Sequence, residues 1–420
     1  MTNRPSSASA ALTGLAGLAA LAISIAALTG TGWPIHLKAM IIVAATAAAM
    51  IAVDTLCFRT YRNPSTGVQS GPVRKLHLER VARKLIGLIV TLAILAAIYW
   101  IVPEYRRDFY APYWSALSIA MPVLLAAAPF YIAYVDRRQQ EPEDVYAEIG
   151  ALILTGTLPT EMNRLRQHTL GWAVKGFFLP LMFTYSCATL GSLFASLGEP
   201  QPFQFLRWHA VATDILFMVD VLIAVVGYVF TLRLIDNHIR STEPTLFGWL
   251  VCLACYPPLN KATGAYLDYE TGTNWTTLLQ AWPALQAAWG IAILLCLFIF
   301  VWSTVSFGLR FSNLTHRGII TSGPYRWTKH PAYISKNIAW WLISMPFLAE
   351  AGPAEGLRHS LILLALNGVY ALRAFTEERH LSRDPDYVAY SAYIAEHGIL
   401  ARLKRLRAAV PQTGFTQLAE

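Results

Sequence analysis

The sequence predicts an all-α polytopic membrane bundle of about ten transmembrane helices, with the N- and C-termini on the cytoplasmic side. Three observations carry this expectation. Apolar residues make up 55% of the 420-residue chain and charged residues only 14%, whereas an ordinary soluble domain carries about 25% charged residues. The apolar residues come in blocks of about twenty, the helical length that crosses a hydrocarbon layer ~30 Å thick. The basic residues sit in alternate connections between those blocks, as loops on a cytoplasmic membrane face do.

The blocks fall near residues 11–31, 38–57, 83–103, 112–135, 171–196, 213–235, 245–258, 279–308, 338–349 and 358–375. Met1 to Ser9, with Arg4 as its one basic residue, leads into an Ala/Leu run. A secretory signal starts in this way too, but the run is long and more spans follow, so a retained first helix is expected. The seventh and ninth blocks are short and read as tilted, partly re-entrant or incomplete spans. The connection 136–170 contains a short apolar run, Ile149 to Leu154, expected as a small interfacial helix. Tyr256 to Thr277, with Pro257 and Pro258, reads as an ordered cap on the outer side.

Charge fixes the threading. The connection 58–82, with the residue that follows it, holds Arg59, Arg62, Arg74, Lys75, Arg80 and Arg83. The connection 309–337 holds Arg310, Arg317, Arg326, Lys329 and Lys336, and the tail holds Arg402, Lys404, Arg405 and Arg407. The opposite connections carry little net charge: Arg106 and Arg107 are offset by Glu104 and Asp108, and Lys261 by Asp268 and Glu270. Every strongly basic connection therefore lands on one side. The net charge of +8 is spread among loops and forms no single basic stripe, which argues against nucleic-acid binding.

Few ionisable residues lie within the blocks, where each costs a few kcal/mol and tends to face protein or water. Asp54 sits near the end of the second block, and Lys175 can snorkel to the interface. Asp220 lies deeper, and a functional role and a helix-pairing role are both open for it. The five cysteines are scattered. Cys252 and Cys255 form a CxxC with no second pair or nearby histidine, so two small helix residues a turn apart are expected and no metal site.

The densest polar chemistry runs from Asn313 to Asn337, NLTHRGIITSGPYRWTKHPAYISKN. Gly323-Pro324 forces a turn, and His330-Pro331 places a proline in the first turn of the next helix, where no amide hydrogen is needed. A Gly/Pro-shaped loop opening into a helix N-terminus suits an anionic group, which would meet free backbone N–H groups there. A basic loop facing lipid headgroups would show the same composition. Past a short hairpin comes RAFTEERHL, with Arg373 and Glu377 four apart on one helix face. A bare interfacial ion pair would look alike and be worth little.

Taken together, GPYRWTKHPAY, the two-helix hairpin, RxxxEExxL and the tyrosines 387, 390 and 393 resemble the isoprenylcysteine carboxyl methyltransferase family and the wider group of membrane phospholipid methyltransferases. The resemblance covers about residues 310–400. It implies an integral membrane methyltransferase that binds S-adenosylmethionine at the cytoplasmic face and acts on a lipid or isoprenoid-type acceptor drawn from the bilayer, with carboxylate O-methylation as the leading reaction. Carried over residue by residue, Gly323, Tyr325, His330, Pro331, Tyr333 and Glu378 would hold the cofactor, while Arg373 and Glu377 would face the reacting groups. No metal is implied. Residues 1–308 would form an N-terminal transmembrane bundle without an assigned role, and residues 309–420 the cofactor-binding module. Lys329 stands where the family usually has Arg, Ile334-Ser335 where small residues are usual, and Asp384-Pro385-Asp386 in place of a Gly-containing turn. Two other classes compete. The ten-span sterol and isoprenoid reductases bind NADPH in a related pocket, but their loop has Arg-His-x-x-Tyr without the proline. A non-enzymatic scaffold or transporter would use Asp54 and Asp220 along a pathway.

Overall fold

A computed structural model describes residues 4–409 except 70, 72, 160, 198–203, 267, 270–273 and 351. The first four spans are α1 (Ala11–Leu28), α2 (Ile35–Leu56), α3 (Leu78–Ile101) and α4 (Ala111–Asp136). A short α5 (Val145–Thr155) follows, then α6 (Met162–Leu197) and α7 (Phe205–Val229). Three short helices, α8 (Leu246–Leu253), α9 (Leu259–Tyr266) and α10 (Trp275–Leu278), lead to α11 (Pro283–Phe307). The chain closes with α12 (Pro331–Ser344), α13 (Pro353–Leu381), α14 (Pro385–His397) and α15 (Ile399–Ala409). Among the described residues, seven helices, α1 to α4, α6, α7 and α11, are long and apolar enough to cross a bilayer. The protein is an all-α integral membrane bundle.

The other three predicted spans come out differently. The block 358–375 lies inside α13, whose 29 residues extend past the apolar part at both ends. The blocks 245–258 and 338–349 are not continuous helices. α8 has 8 residues and α12 has 14, about 12 Å and 21 Å at the α-helical rise, short of the ~30 Å hydrocarbon core. α12 stops because Met345 takes a left-handed φ of 43° and Pro346 follows without an amide hydrogen. α8 gives way to turns before Pro257 and Pro258. Tyr256, which opens the segment expected as an ordered cap or loop, lies beside the cavity described below. The rest of that segment holds α9 and α10, with 267 and 270–273 outside the described residues. The apolar run 149–154 lies in α5, whose Gly150 meets the backbone of Arg83 on α3 as Gly87 meets that of Tyr146.

The basic connections meet at one end of the bundle. The strand β1 (Ser241–Thr242) pairs antiparallel with β2 (Thr315–His316). The Gln69 amide donates to the Arg138 carbonyl at 2.7 Å. Asn63 and Ser65 donate to the buried Asp236 carboxylate at 2.9 and 2.7 Å. An N-terminal arm joins the same end, with Ala8 N–H donating to Ile319 O at 2.9 Å and Thr321 Oγ1 to Pro5 O at 2.9 Å. Two arginines, each only 2% exposed, bind this layer to the helices. Arg310 donates to Ala8 O at 2.8 Å and to Asp236, both backbone and side chain. Arg317 donates to Asn237 O, Gly227 O and Phe311 O at 2.7, 2.8 and 2.9 Å.

The main apolar core runs through α1, α2, α6, α7 and the last turns of α11, with Met50, Phe178, Leu190, Ile223, Tyr228 and Leu309 fully enclosed. It crosses position 308 without a break, so the C-terminal segment is mounted on the rest of the bundle. Of the intramembrane ionisable groups, Asp54 accepts from Thr13 Oγ1 at 2.5 Å and joins α2 to α1. Lys175 donates to Thr231 Oγ1 at 2.7 Å over the ring of Trp172.

In a variant with exposed Cys57 replaced by serine, single cysteines at Tyr61 and Trp282 should label from opposite sides of the membrane; labelling from one side contradicts this threading. Arg317→Lys keeps the charge but cannot reach three carbonyls at once, so it should lower stability by about 3 kcal/mol or more. A fluorescence melt in detergent reads this as a clear drop in Tm.

Candidate functional site

A cavity of about 400 Å³ opens among the loop after α11, the start of α12 and the last turns of α13. Its deeper walls come from α6, α7 and α11, through Tyr185, Asp220, Phe300 and Phe307 among others. Local sequence shapes the rim. Gly323 has φ +59°, and a side chain there would run into Ser306 and Trp302, so only glycine makes this turn. The turn Gly323–Arg326 is then held from α14, where Tyr390 donates from its hydroxyl to Tyr325 O at 2.7 Å and Thr328 O at 3.2 Å. Pro331 opens α12 at its first turn, and no side chain caps that end. The first-turn N–H groups of α12, including those of cavity-lining Ala332 and Tyr333, thus lack a capping acceptor.

Tyr325, His330, Tyr333, Arg373 and Glu377 all line the cavity; Gly323, Pro331 and Glu378 support it from outside the lining. Glu378 clamps loop to helix: His330 Nε2 lies 2.8 Å from Glu378 Oε1, and Lys329 Nζ bonds the other oxygen. The hydrogen bond from His330, followed by Lys329, holds the Glu378 carboxyl down at about 2. The His330 ring stacks on Tyr333 with centroids 5.7 Å apart, and the Tyr333 hydroxyl donates to Glu377. Loop and helix end thus close on each other through adjacent carboxylates.

Arg373 sits at the centre. It is 4% exposed and ringed by Tyr333, Tyr256 and Tyr370, with its guanidinium carbon 5.1, 5.7 and 5.7 Å from their ring centres. One guanidinium nitrogen donates to Asn313 Oδ1 at 3.0 Å and lies 3.9 Å from Glu377. Its Nε is buried without a partner. Asn313 in turn donates to the Tyr228 and Tyr256 hydroxyls at 3.0 and 3.3 Å. One side chain thereby ties α7, the turn after α8 and α13 together at the cavity.

Sequence reasoning singled out neither Asn313 nor Tyr256, Tyr370 and Lys336 as site residues. Lys336 stands over the rings of Phe300, Trp340 and Tyr370, one turn along α12 from Tyr333, a helical spacing that pointed to it. Asp220 accepts from Thr304 Oγ1 at 2.6 Å, joining α7 to α11, and it also faces the cavity. Cys252 and Cys255 carry free thiols. No group of three or more His, Cys, Asp or Glu placed to hold a metal occurs among the described residues.

Residues 290–383, less than a quarter of the chain, match the model of the isoprenylcysteine carboxyl methyltransferase (ICMT) family. The match starts within α11 and ends just past α13, so it takes in the loop, the hairpin and both glutamates. Comparison with curated proteins and with solved structures returns no match. The family match supports a methyltransferase embedded in the membrane.

The clamp has a pH signature. The Glu378 carboxyl is depressed from 4.5 to about 2, so its stabilising contribution is complete above pH 4.5 and is lost as pH falls toward 2. The Tm gap between the native chain and Glu378→Gln should therefore narrow as pH falls from 4.5 toward 2. A gap that ignores pH in this range excludes the clamp as a stabilising contact.

Proposed function

We propose that this protein transfers a methyl group from S-adenosylmethionine to a lipid or isoprenoid-type acceptor drawn from the bilayer, at the cytoplasmic membrane face, with a carboxylate as the accepting group. The observation that carries this reading is the closure of loop 312–330 on the end of α13 around one cavity, within the segment that matches the methyltransferase family. The positive charge of the connections gathered at that end favours the cytoplasmic side. Residues 309–420 then form the cofactor module, carried on the bundle of residues 1–308.

The residues present fit the cofactor. A cavity of about 400 Å³ falls in the range of small-molecule sites. Its tyrosine faces suit a sulfonium cation, and the partnerless Arg373 Nε and Tyr387 hydroxyl suit polar groups of a bound ligand. When bound, S-adenosylmethionine supplies an activated methyl group. Tyr325, His330 and Tyr333 line its side of the cavity. Gly323 and Pro331 shape the rim, and Glu378 keeps the rim shut. Glu377, beside Tyr333 and Arg373, would face the reacting groups.

Arg373 orients the acceptor. A carboxylate is ionised at neutral pH, so no residue has to remove a proton from it. The work left to the chain is alignment and exclusion of water. Arg373 offers charge-assisted hydrogen bonds at a buried position, and the tyrosines around it keep water out. Phe300 and Phe307 give the deeper wall an apolar surface for a lipid chain.

Calorimetric titration of the purified protein should give micromolar-range binding of S-adenosylmethionine. NADPH binding without an S-adenosylmethionine signal would instead identify a reductase. His330→Ala and Glu378→Ala should each weaken cofactor binding about tenfold or more, with the melting transition retained. Arg373→Lys should abolish turnover while the protein still binds S-adenosylmethionine within about tenfold of the native chain, scored as loss of the methylated lipid by mass spectrometry.

A further inference from the structure

A second cavity, about 600 Å³ in volume, lies outside the family-matched segment. It sits at the basic end of the N-terminal bundle, where α3, α4 and α6 meet the chain between Thr231 and Ser241. Nothing in the methyl-transfer reading uses it.

Its charges do not balance. The lining cations are Lys84, Arg164, Lys175, Arg233 and Arg240, against the carboxylates of Glu141 and Asp144. Three of the cations are engaged. Lys84 lies 3.0 Å from both Asp136 and Asp144. Arg164 lies 3.3 Å from Glu148, and Arg240 lies 3.4 Å from Asp236. Lys175 and Arg233 have no carboxylate within 4.0 Å among the described residues. Lys175 has only the Thr231 hydroxyl at 2.7 Å and the face of Trp172. Arg233 has the Thr66 carbonyl at 3.1 Å. Two further buried nitrogens, Arg240 Nε and His238 Nδ1, have no partner. Burial and then Arg233 push His238 down to about 3, as a positive environment requires. Enclosed cations without a counter-charge are costly, and an anion that collects their hydrogen bonds removes the cost.

One wall is apolar. Leu88 of α3 and Ala128 and Ile132 of α4 line it, and α4 turns much of its surface outward, with Phe130 79% exposed. We propose that this cavity is a binding site for a phosphate-bearing amphiphile, its phosphate on Lys175 and Arg233 and its apolar chain against Leu88, Ala128 and Ile132. Phosphate fits better than carboxylate because donors from Lys175, Arg233, Arg240 and His238 outnumber what two oxygens can take.

The test uses the full chain in detergent micelles, with native mass spectrometry and fluorescence melts. Dioctanoyl phosphatidic acid should bind one to one and raise Tm, and dioctanoylglycerol, which lacks phosphate, should do neither. Lys175→Gln/Arg233→Gln should weaken the phosphatidic acid interaction about tenfold or more, and Arg233→Gln alone should weaken it by less. Equal stabilisation by inorganic phosphate supports the phosphate contacts but overturns the amphiphile, because the apolar wall then contributes nothing. No response of the native chain to either phosphate probe overturns the proposal without recourse to the variants. So does a response that survives in the double variant, or one matched by dioctanoylglycerol.

Discussion

Two buried guanidiniums hold the polar end of this bundle together. Arg310 and Arg317 stand where α11 gives way to the site loop, and between them they bind the N-terminal arm, the end of α7 and the turn around Asp236. A buried arginine is costly unless its donors are met; here backbone carbonyls take Nε and Nη1 of both, Asp236 takes Nη2 of Arg310, and Nη2 of Arg317 has no partner. The carbonyl positions are specified by helix ends, so the loop can seat in only one register. Asp236, in a left-handed conformation with φ 55°, supplies a carboxylate that Arg310 shares with Arg240. Because the loop is fixed in this way, the β1–β2 ladder, the Gly323 turn and the start of α12 come to rest around one cavity.

The site repeats the same device closer to the chemistry. Arg373 is surrounded by tyrosine rings and steadied by Asn313, and both neighbours reach across helices that are distant in sequence. The aromatic rings attract the cation without consuming its N–H groups. Donor capacity is thus preserved in a dry place, where a hydrogen bond to an incoming anion is worth most. Glu377 and Glu378, adjacent on α13, divide the remaining work. One faces the cavity and the other grips the loop through Lys329 and His330.

The long helices were legible in the sequence because block length alone decides a span: α1 to α4, α6, α7 and α11 fall on the predicted blocks to within a few residues at most ends. α6 starts earlier, since its polar first turns extend beyond the apolar block to carry Arg164 toward Glu148. α7 ends earlier, because Asn237 bonds back to Leu232 N and Phe230 O and turns the chain there. The seventh and ninth blocks were legible as short or incomplete spans, but where their helices stop was not. Hydropathy continues through Met345 and Tyr256, while backbone geometry does not. The meeting of loop and α13 was foreseeable because each is a dense local motif. Asn313 and Tyr256 were not, because a polar side chain acquires its role only from what tertiary packing sets opposite it. The second cavity was hidden for the same reason, its lining scattered from Gly67 to Ser241.

The N-terminal arm has a consequence for biogenesis. Ser7 and Ser322 are 315 positions apart and 3.2 Å from each other. The arm precedes its docking surface in the chain by most of the helices, so that surface is made only after they have been inserted. Until then residues 5–9 have nothing to bind, and the cavity rim has no backing. A late connection therefore captures an early segment, a long-range closure that comes late in folding. A chain lacking residues 309–337 would hold α1 to α11 and still lack a formed rim.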